Sequence, residues 1–167
     1  MDLIDRINEQ WRFERRDLDP APLEVVGRVL VLAHHLERSV NEALAEHGLT
    51  LGQFDILATL RRHGPGGKLP PKLLMQSIAL TSGAMTNRLD RLEEAGLIRR
   101  EPDAFDRRGV VVGLTRKGLE VIDAATATRF AEARSALPPI SADETAQLTR
   151  LLRTWLEYLD VKRNGPS

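Results

Sequence analysis

Small and hydrogen-bonding residues open the segment TSGAMTNRLDRLEEAG at residues 81–96. Met85, Leu89 and Leu92 recur at i, i+4 and i+7, which is the spacing of the buried face of an α-helix. The outward side of the first two turns is then formed by Ser82, Gly83, Ala84, Thr86 and Asn87. Small residues permit close approach, and Thr86 and Asn87 can hydrogen-bond to base edges. The pattern predicts a helix whose N-terminal end enters the major groove of double-stranded DNA.

A basic turn follows this helix in the segment PDAFDRRG. It separates residues 97–101 and 109–114, which have the composition of two β-strands. Arg107 and Arg108 at the tip of such a hairpin suit the minor groove or the phosphate backbone. Asp106 is expected to pair with a nearby arginine and so stabilise the turn. Two short helices joined by a tight turn, with the second followed by a basic hairpin called a wing, are typical of winged helix-turn-helix proteins.

The distribution of charge supports a nucleic-acid surface. The whole chain has 24 basic and 24 acidic residues. Residues 61–116 contain 11 Lys/Arg and 6 Asp/Glu, a net charge of +5, so the rest of the chain carries −5. The sequence therefore predicts a basic DNA-facing region on an acidic body.

Helical periodicity dominates the rest of the chain. We predict helices at 2–16, 23–47, 50–62, 71–77, 82–95, 115–137 and 142–161, with a loop at 63–71. Thr50 with Gln53, and Ser141 with Glu144, have the spacing of N-terminal capping boxes. A single hairpin cannot form an independent sheet. The predicted fold class is therefore mainly α, with a two-stranded β-wing attached to a helical body.

The stretch LTSGAMTNRLDRLEEAGLIRREPDAFDRRGVVVGLT resembles the DNA-reading head of the MarR family of bacterial regulators. The wing pattern of that family corresponds here to Asp106, Arg108, Gly109, Leu114 and Thr115. The flanking helices extend the resemblance over nearly the whole chain. It implies one MarR-type domain at 1–167, with a winged helix-turn-helix region at 50–115. Residues 1–47 and 116–163 would form a helical dimerisation region.

The same resemblance implies a homodimeric repressor that binds a short DNA palindrome, with Arg108 entering the minor groove. The first long helix and the last two helices would form the dimer interface. The last helix has an apolar stripe that fits this role, and it includes Leu148, Leu152, Trp155 and Leu159. Burial within one subunit is an open alternative for each of these side chains.

Position 88 departs from the family pattern, which usually has an apolar residue there. Arg88 lies about 60° from the inward direction set by Met85. A partly buried arginine needs an anion. Asp55 is one candidate for that anion, and a bound acidic ligand is another.

The added N-terminal helix resembles that of the MarR-type regulators that respond to urate. In that subset a tryptophan, an aspartate and two arginines line the ligand pocket, and the matching residues here are Trp11, Asp55, Arg88 and Arg100. Trp11 could stack on a flat ring, and the arginines could neutralise a small aromatic or carboxylate anion. Two alternatives stay open. Another carboxylate or a phenolic acid would suit the same charges, or the four residues form only a structural network.

Other functions have little support in the sequence. There are no cysteines, and no two of the four histidines have metal-ligand spacing. HGPGGKLP lacks the spacing of a phosphate-binding loop. We therefore expect neither an enzyme nor a cofactor. Without a membrane span or a secretory signal, a cytoplasmic location is expected. A helical dimer that binds a protein partner, or a non-specific architectural DNA-binding protein, would be the alternatives.

Overall fold

The computed structural model describes residues 1–64, 66–78, 82–103, 106 and 109–164, without the side chains of 82, 83, 163 and 164. The chain divides into two compact units, residues 1–133 and 134–167. The helices are α1 Leu3–Glu14, α2 Ala21–Leu44, α3 Leu51–Arg62, α4 Pro71–Ile78, α5 Ser82–Glu94, α6 Arg116–Ala136 and α7 Ala142–Asn164. The strands are β1 Lys68–Leu69, β2 Ile98–Pro102 and β3 Val110–Leu114. The mainly helical fold with a β-wing is as predicted.

Local hydrogen bonds explain where several helices begin. The Thr50 hydroxyl accepts a hydrogen bond from the backbone N–H of Gln53, and the Gln53 side chain accepts one from the backbone N–H of Thr50. Ser141 and Glu144 make the same reciprocal pair before α7. Both predicted capping boxes are therefore confirmed. Each satisfies backbone N–H groups that have no partner inside the helix.

The sheet has three antiparallel strands in the order β1-β3-β2, one more than the sequence predicted. In the extra strand, Lys68 lies opposite Gly113 and Leu69 lies opposite Val112. A two-residue strand is too short for periodicity to reveal, and it follows a glycine-rich segment that reads as a loop. Its pairing with β3 is a long-range contact that the local sequence does not encode. Through this pairing, β1 connects strand β3 of the wing to the segment before α4.

The core of the first unit lies between α3, α5 and the sheet. Its fully buried side chains include Leu44, Ile56, Leu57, Leu60, Leu74, Leu92, Val112 and Ile122. α4 packs against both α3 and α5, and α5 packs against β2. α5 and the wing are therefore mounted on one apolar core.

The second unit contains the end of α6, two prolines and α7. Along α7, the side chains of Leu148, Leu152 and Leu159 are exposed, and Trp155 is half-buried. In the first unit, α2 likewise exposes Val26, Leu30 and Leu36. Exposed leucine rows of this kind are typical of surfaces that pack against another chain. None of the described helices is long and apolar enough to cross a membrane.

Candidate nucleic-acid interface and adjacent cavity

α5 has one apolar face and one polar face, as the spacing of its residues predicts. Met85, Leu89 and Leu92 are at most 2% exposed, whereas Thr86 and Asn87 are exposed and Ala84 is half-buried. Ser82 and Gly83 form the first turn of this helix, but their side chains lie outside the described part. The first two turns therefore present a small polar surface with the apolar core directly behind it.

The wing is built from β2 and β3, which pair from Ile98 opposite Leu114 to Pro102 opposite Val110. Near its tip, the backbone N–H of Gly109 donates to the carbonyl of Asp106 at 2.8 Å. The N–H of Asp103 donates to the carbonyl of Gly109 at 2.9 Å. Asp106 is exposed. The two predicted DNA contacts of the tip, Arg107 and Arg108, lie outside the described residues.

A cavity of about 670 Å³ lies beside the polar face of α5. Its walls come from α2, the first turns of α3, and α5. The lining includes Glu37, Asn41, Gly52, Asp55, Asn87 and Arg88. Asn87 belongs both to the candidate DNA surface and to the lining of this cavity, so a molecule bound there would contact the DNA-facing side of α5. Asp55 and Arg88, both predicted from the sequence, are brought together at this cavity.

The guanidinium group of Arg88 lies directly against the backbone of Gly52. A Cβ atom at position 52 would come within 2.8 Å of the Arg88 Nε. The Arg88 Nη1 atom is buried and has no hydrogen-bond partner among the described residues. A buried donor without an acceptor costs free energy, and the cost is larger when the group is charged. The site therefore lacks a hydrogen-bond acceptor next to Arg88 Nη1 among the described residues.

The Asp55 carboxyl is half-buried at the same cavity. Burial raises the pKa of this carboxyl above its ordinary value, and the positive charges of Arg62, Arg129 and Arg88 oppose the rise. The larger effect is thus the loss of solvent, not the neighbouring charge. Arg88 Nη1 makes no hydrogen bond to this carboxylate.

The other two predicted ligand residues lie elsewhere. Arg100, on β2, is hydrogen-bonded to Asp90 and Glu93 of α5. Trp11 is 49% exposed on α1, in a separate depression that Gln10 and Phe13 also line. α1 packs on α2, and its buried residues are Ile4 and Asn8. The structure thus unites two of the four residues.

Sequence reasoning missed Gly52, Asp90 and Glu93. Gly52 carries no special sequence signal, because a glycine in the first turn of a helix is tolerated without a functional reason. The two acidic residues did have a signal. Their i, i+3 spacing places both carboxylates on one face of α5, where they can bind one cation together. That the cation would be Arg100 depends on how the wing folds back onto α5.

Known proteins are similar to this chain in sequence. A sequence profile described as the MarR family matches residues 47–109. The HTH-type transcriptional regulator PecS of Dickeya dadantii is 36% identical over 149 residues, which are 89% of this chain and 90% of PecS. The multiple antibiotic resistance protein MarR of Escherichia coli is 30% identical over 77% of this chain and 88% of its own length.

Solved structures agree with the sequence comparisons. The crystal structure of a MarR variant from E. coli complexed with operator DNA matches with a TM-score of 0.72 and 28% identity. The match covers 93% of this chain and 99% of that protein. The winged helix-turn-helix head, the flanking helices and the extent of these matches agree, and the chain belongs to the MarR family of transcriptional regulators.

Proposed function

We propose that this protein is a sequence-specific DNA-binding repressor that acts as a homodimer on a palindromic operator. The observation that carries the proposal is the exposed polar face of α5, with Thr86 and Asn87 opposite the buried Met85. Side chains of this type at the first turns of a helix read base edges in the major groove. The operator complex of the similar E. coli protein supports the same use of the fold.

Dimerisation is proposed from the apolar surfaces of the two units. α7 exposes Leu148, Leu152 and Leu159, and α2 exposes a second apolar row. Burying such rows against a second copy would remove them from water, which is the main favourable term in obligate dimers. A two-fold dimer holds two α5 helices at a fixed separation and therefore reads two half-sites.

We further propose that a small anion, such as urate, occupies the cavity beside α5 and releases the protein from DNA. The buried Arg88 Nη1, which has no acceptor among the described residues, supports an anionic ligand there. Asn87 and Arg88 line the cavity from α5 itself, so a ligand would act directly on the DNA-reading helix. Participation of Trp11 and Arg100 in this site stays a prediction.

A mobility-shift experiment tests the DNA proposal. The protein is titrated against its own upstream DNA and against a shuffled duplex of equal length. Tight binding to the upstream DNA alone is expected, and Asn87→Ala should alter the preference among operator variants. Gln147→Ala, which removes an exposed amide on α7, is the matched control. Equal binding to both duplexes would indicate a non-specific architectural protein and contradict the proposal.

The ligand proposal has its own experiment. Thermal shift of the protein is measured with urate, purines, tricarboxylates and phenolic acids, and each hit is tested for release of bound operator. A hit must raise the melting temperature of the free protein and lower its DNA affinity. A panel in which no anion does both would contradict the ligand proposal and leave the DNA proposal standing.

A further inference from the structure

β2 presents one face of the wing to α5. Arg100 pairs with Val112 across the ladder, and opposed residues in an antiparallel pair lie on the same face of the sheet. Val112 is fully buried, as is Ile98, two residues before Arg100. The Arg100 side chain therefore leaves the sheet on the side that packs against α5.

On that side, three hydrogen bonds join Arg100 to two carboxylates of α5. Glu93 accepts from the Arg100 backbone N–H at 3.0 Å and from Nη1 at 2.6 Å. Asp90 accepts from Nη2 at 2.6 Å. The Arg100 side chain is only 30% exposed. Both ends of the guanidinium group and the backbone of β2 are thus hydrogen-bonded to the same helix. These bonds restrict the rotation of β2 relative to α5 as well as the distance between them.

A second ion network in the wing has a different effect. Glu101, the next residue along β2, accepts hydrogen bonds from Lys68 of β1 and Arg99 of β2. These contacts join residues within the sheet and do not reach α5. The Glu101 network therefore joins strands of the wing to each other, and the Arg100 network joins the wing to α5.

We propose that Asp90, Glu93 and Arg100 form a clamp that sets the position of the wing relative to the base-reading turn of α5. The inference rests on the proposed DNA function. Asp90 lies one turn after Asn87, about 4.5 Å along the helix axis. Fixing β2 at this point holds the described strands of the wing and Asn87 in a constant relation. The three clamp residues position other groups on DNA and do not contact bases.

The clamp improves specific binding by preorganisation. A wing that is free to move must be ordered when it engages the groove next to α5, and that ordering reduces affinity. Non-specific binding depends on the number of phosphate contacts and needs no fixed relation between α5 and the wing. Loss of the clamp should therefore affect operator DNA more than shuffled DNA.

A positioning role and a purely electrostatic role predict opposite changes in operator affinity when the acidic residues are removed. Removing acidic groups near DNA should strengthen binding if only Coulomb repulsion matters. The clamp predicts that Asp90→Ala/Glu93→Ala weakens operator binding about fivefold, the size expected for losing two partly exposed ion pairs. Shuffled DNA should be bound equally well or more tightly. Glu94→Ala, which removes one acidic group from the same helix, is the control and should not weaken operator binding.

Two further measurements test whether Arg100 is held by the α5 carboxylates. In the free protein, the double variant should speed hydrogen exchange at the Arg100 amide, since Glu93 no longer accepts from it. Arg100→Lys keeps the charge and should restore part of the operator affinity lost in Arg100→Ala. Melting temperatures show whether each variant is folded.

The outcomes separate this inference from the proposed function. Wild-type protein that does not prefer the operator contradicts the DNA function, and with it any positioning role on DNA. If wild type prefers the operator but the double variant binds it as tightly as Glu94→Ala does, the clamp is wrong. An Arg100→Ala protein with normal operator affinity and lost urate release would identify Arg100 as a ligand residue instead.

Discussion

Two arginines of the DNA-reading head, Arg88 on α5 and Arg100 on β2, occupy opposite kinds of surroundings. Arg100 is surrounded by acceptors that the chain itself supplies, from Asp90 and Glu93. Arg88 lies against Gly52 with Nη1 buried and without a partner among the described residues. A satisfied ion network can hold a structure together, whereas an unsatisfied buried cation costs stability. The difference supports the proposed positioning role of Arg100 and the proposed ligand-binding role of Arg88.

The largest expected effect comes from replacing Arg88. Arg88→Ala should retain the fold, because the change removes a buried donor that has no acceptor. It should retain much of the DNA affinity but weaken urate binding about 100-fold, as expected for losing one or two charge-assisted hydrogen bonds. Titration calorimetry measures the binding, and a mobility shift measures the release of operator.

Arg91→Ala is the matched control, since Arg91 lines the same cavity but is exposed. Its effect on urate affinity should be much smaller, because an exposed charge is screened by solvent. If Arg88→Ala binds urate as tightly as wild type does, the contrast between the two arginines does not concern a ligand.

A smaller effect is expected at Gly52. The Cβ of Gly52→Ala would overlap the Arg88 guanidinium group, which must then move away from the α3 backbone. Alanine is otherwise acceptable in the first turn of a helix. We expect about tenfold weaker urate binding, corresponding to about 1.4 kcal/mol, and little change in melting temperature. Calorimetry in the Arg88→Ala background is the control: there the substitution at 52 should have no further effect.

The sequence predicted the helices of this reading head well because their signals are local. Periodicity located α5 and its buried face, and side-chain caps located the starts of α3 and α7. Asp55 and Arg88 were also predicted together, because Arg88 departs from the family pattern and both residues match the ligand pocket of the urate-responsive subset.

The missed features depend on contacts between distant segments. β1 exists through its pairing with β3, and the partners of Arg100 follow from the packing of β2 on α5. Trp11 lines a different depression from the cavity beside α5, and its place depends on how α1 packs on α2. Residue types and spacing do not determine any of these.

The smallest expected effect is on the free energy of unfolding. Its pH dependence should have opposite signs at the cavity and in the wing. Burial raises the pKa of Asp55, so the unfolded chain loses this proton at a lower pH than the folded protein does. Stability must therefore fall as pH rises from the unfolded pKa, about 3.9, through the raised folded value. Asp55→Asn removes that loss. It should raise the free energy of unfolding at neutral pH, by less than about 1 kcal/mol, and confer no such advantage at pH 3.

Glu101 in the wing provides the control of opposite sign. The hydrogen bond from Lys68, followed by that from Arg99, lowers the pKa of the Glu101 carboxyl. Its contribution to stability is present above the unfolded pKa and is lost as pH falls through the lower folded value. Glu101→Gln should thus reduce stability at neutral pH, where Asp55→Asn increases it. Urea unfolding between pH 3 and pH 7 measures both. An Asp55→Asn protein no more stable than wild type at neutral pH would mean that the cavity does not disfavour the Asp55 charge, and a Glu101→Gln protein as stable as wild type would contradict the prediction for the wing.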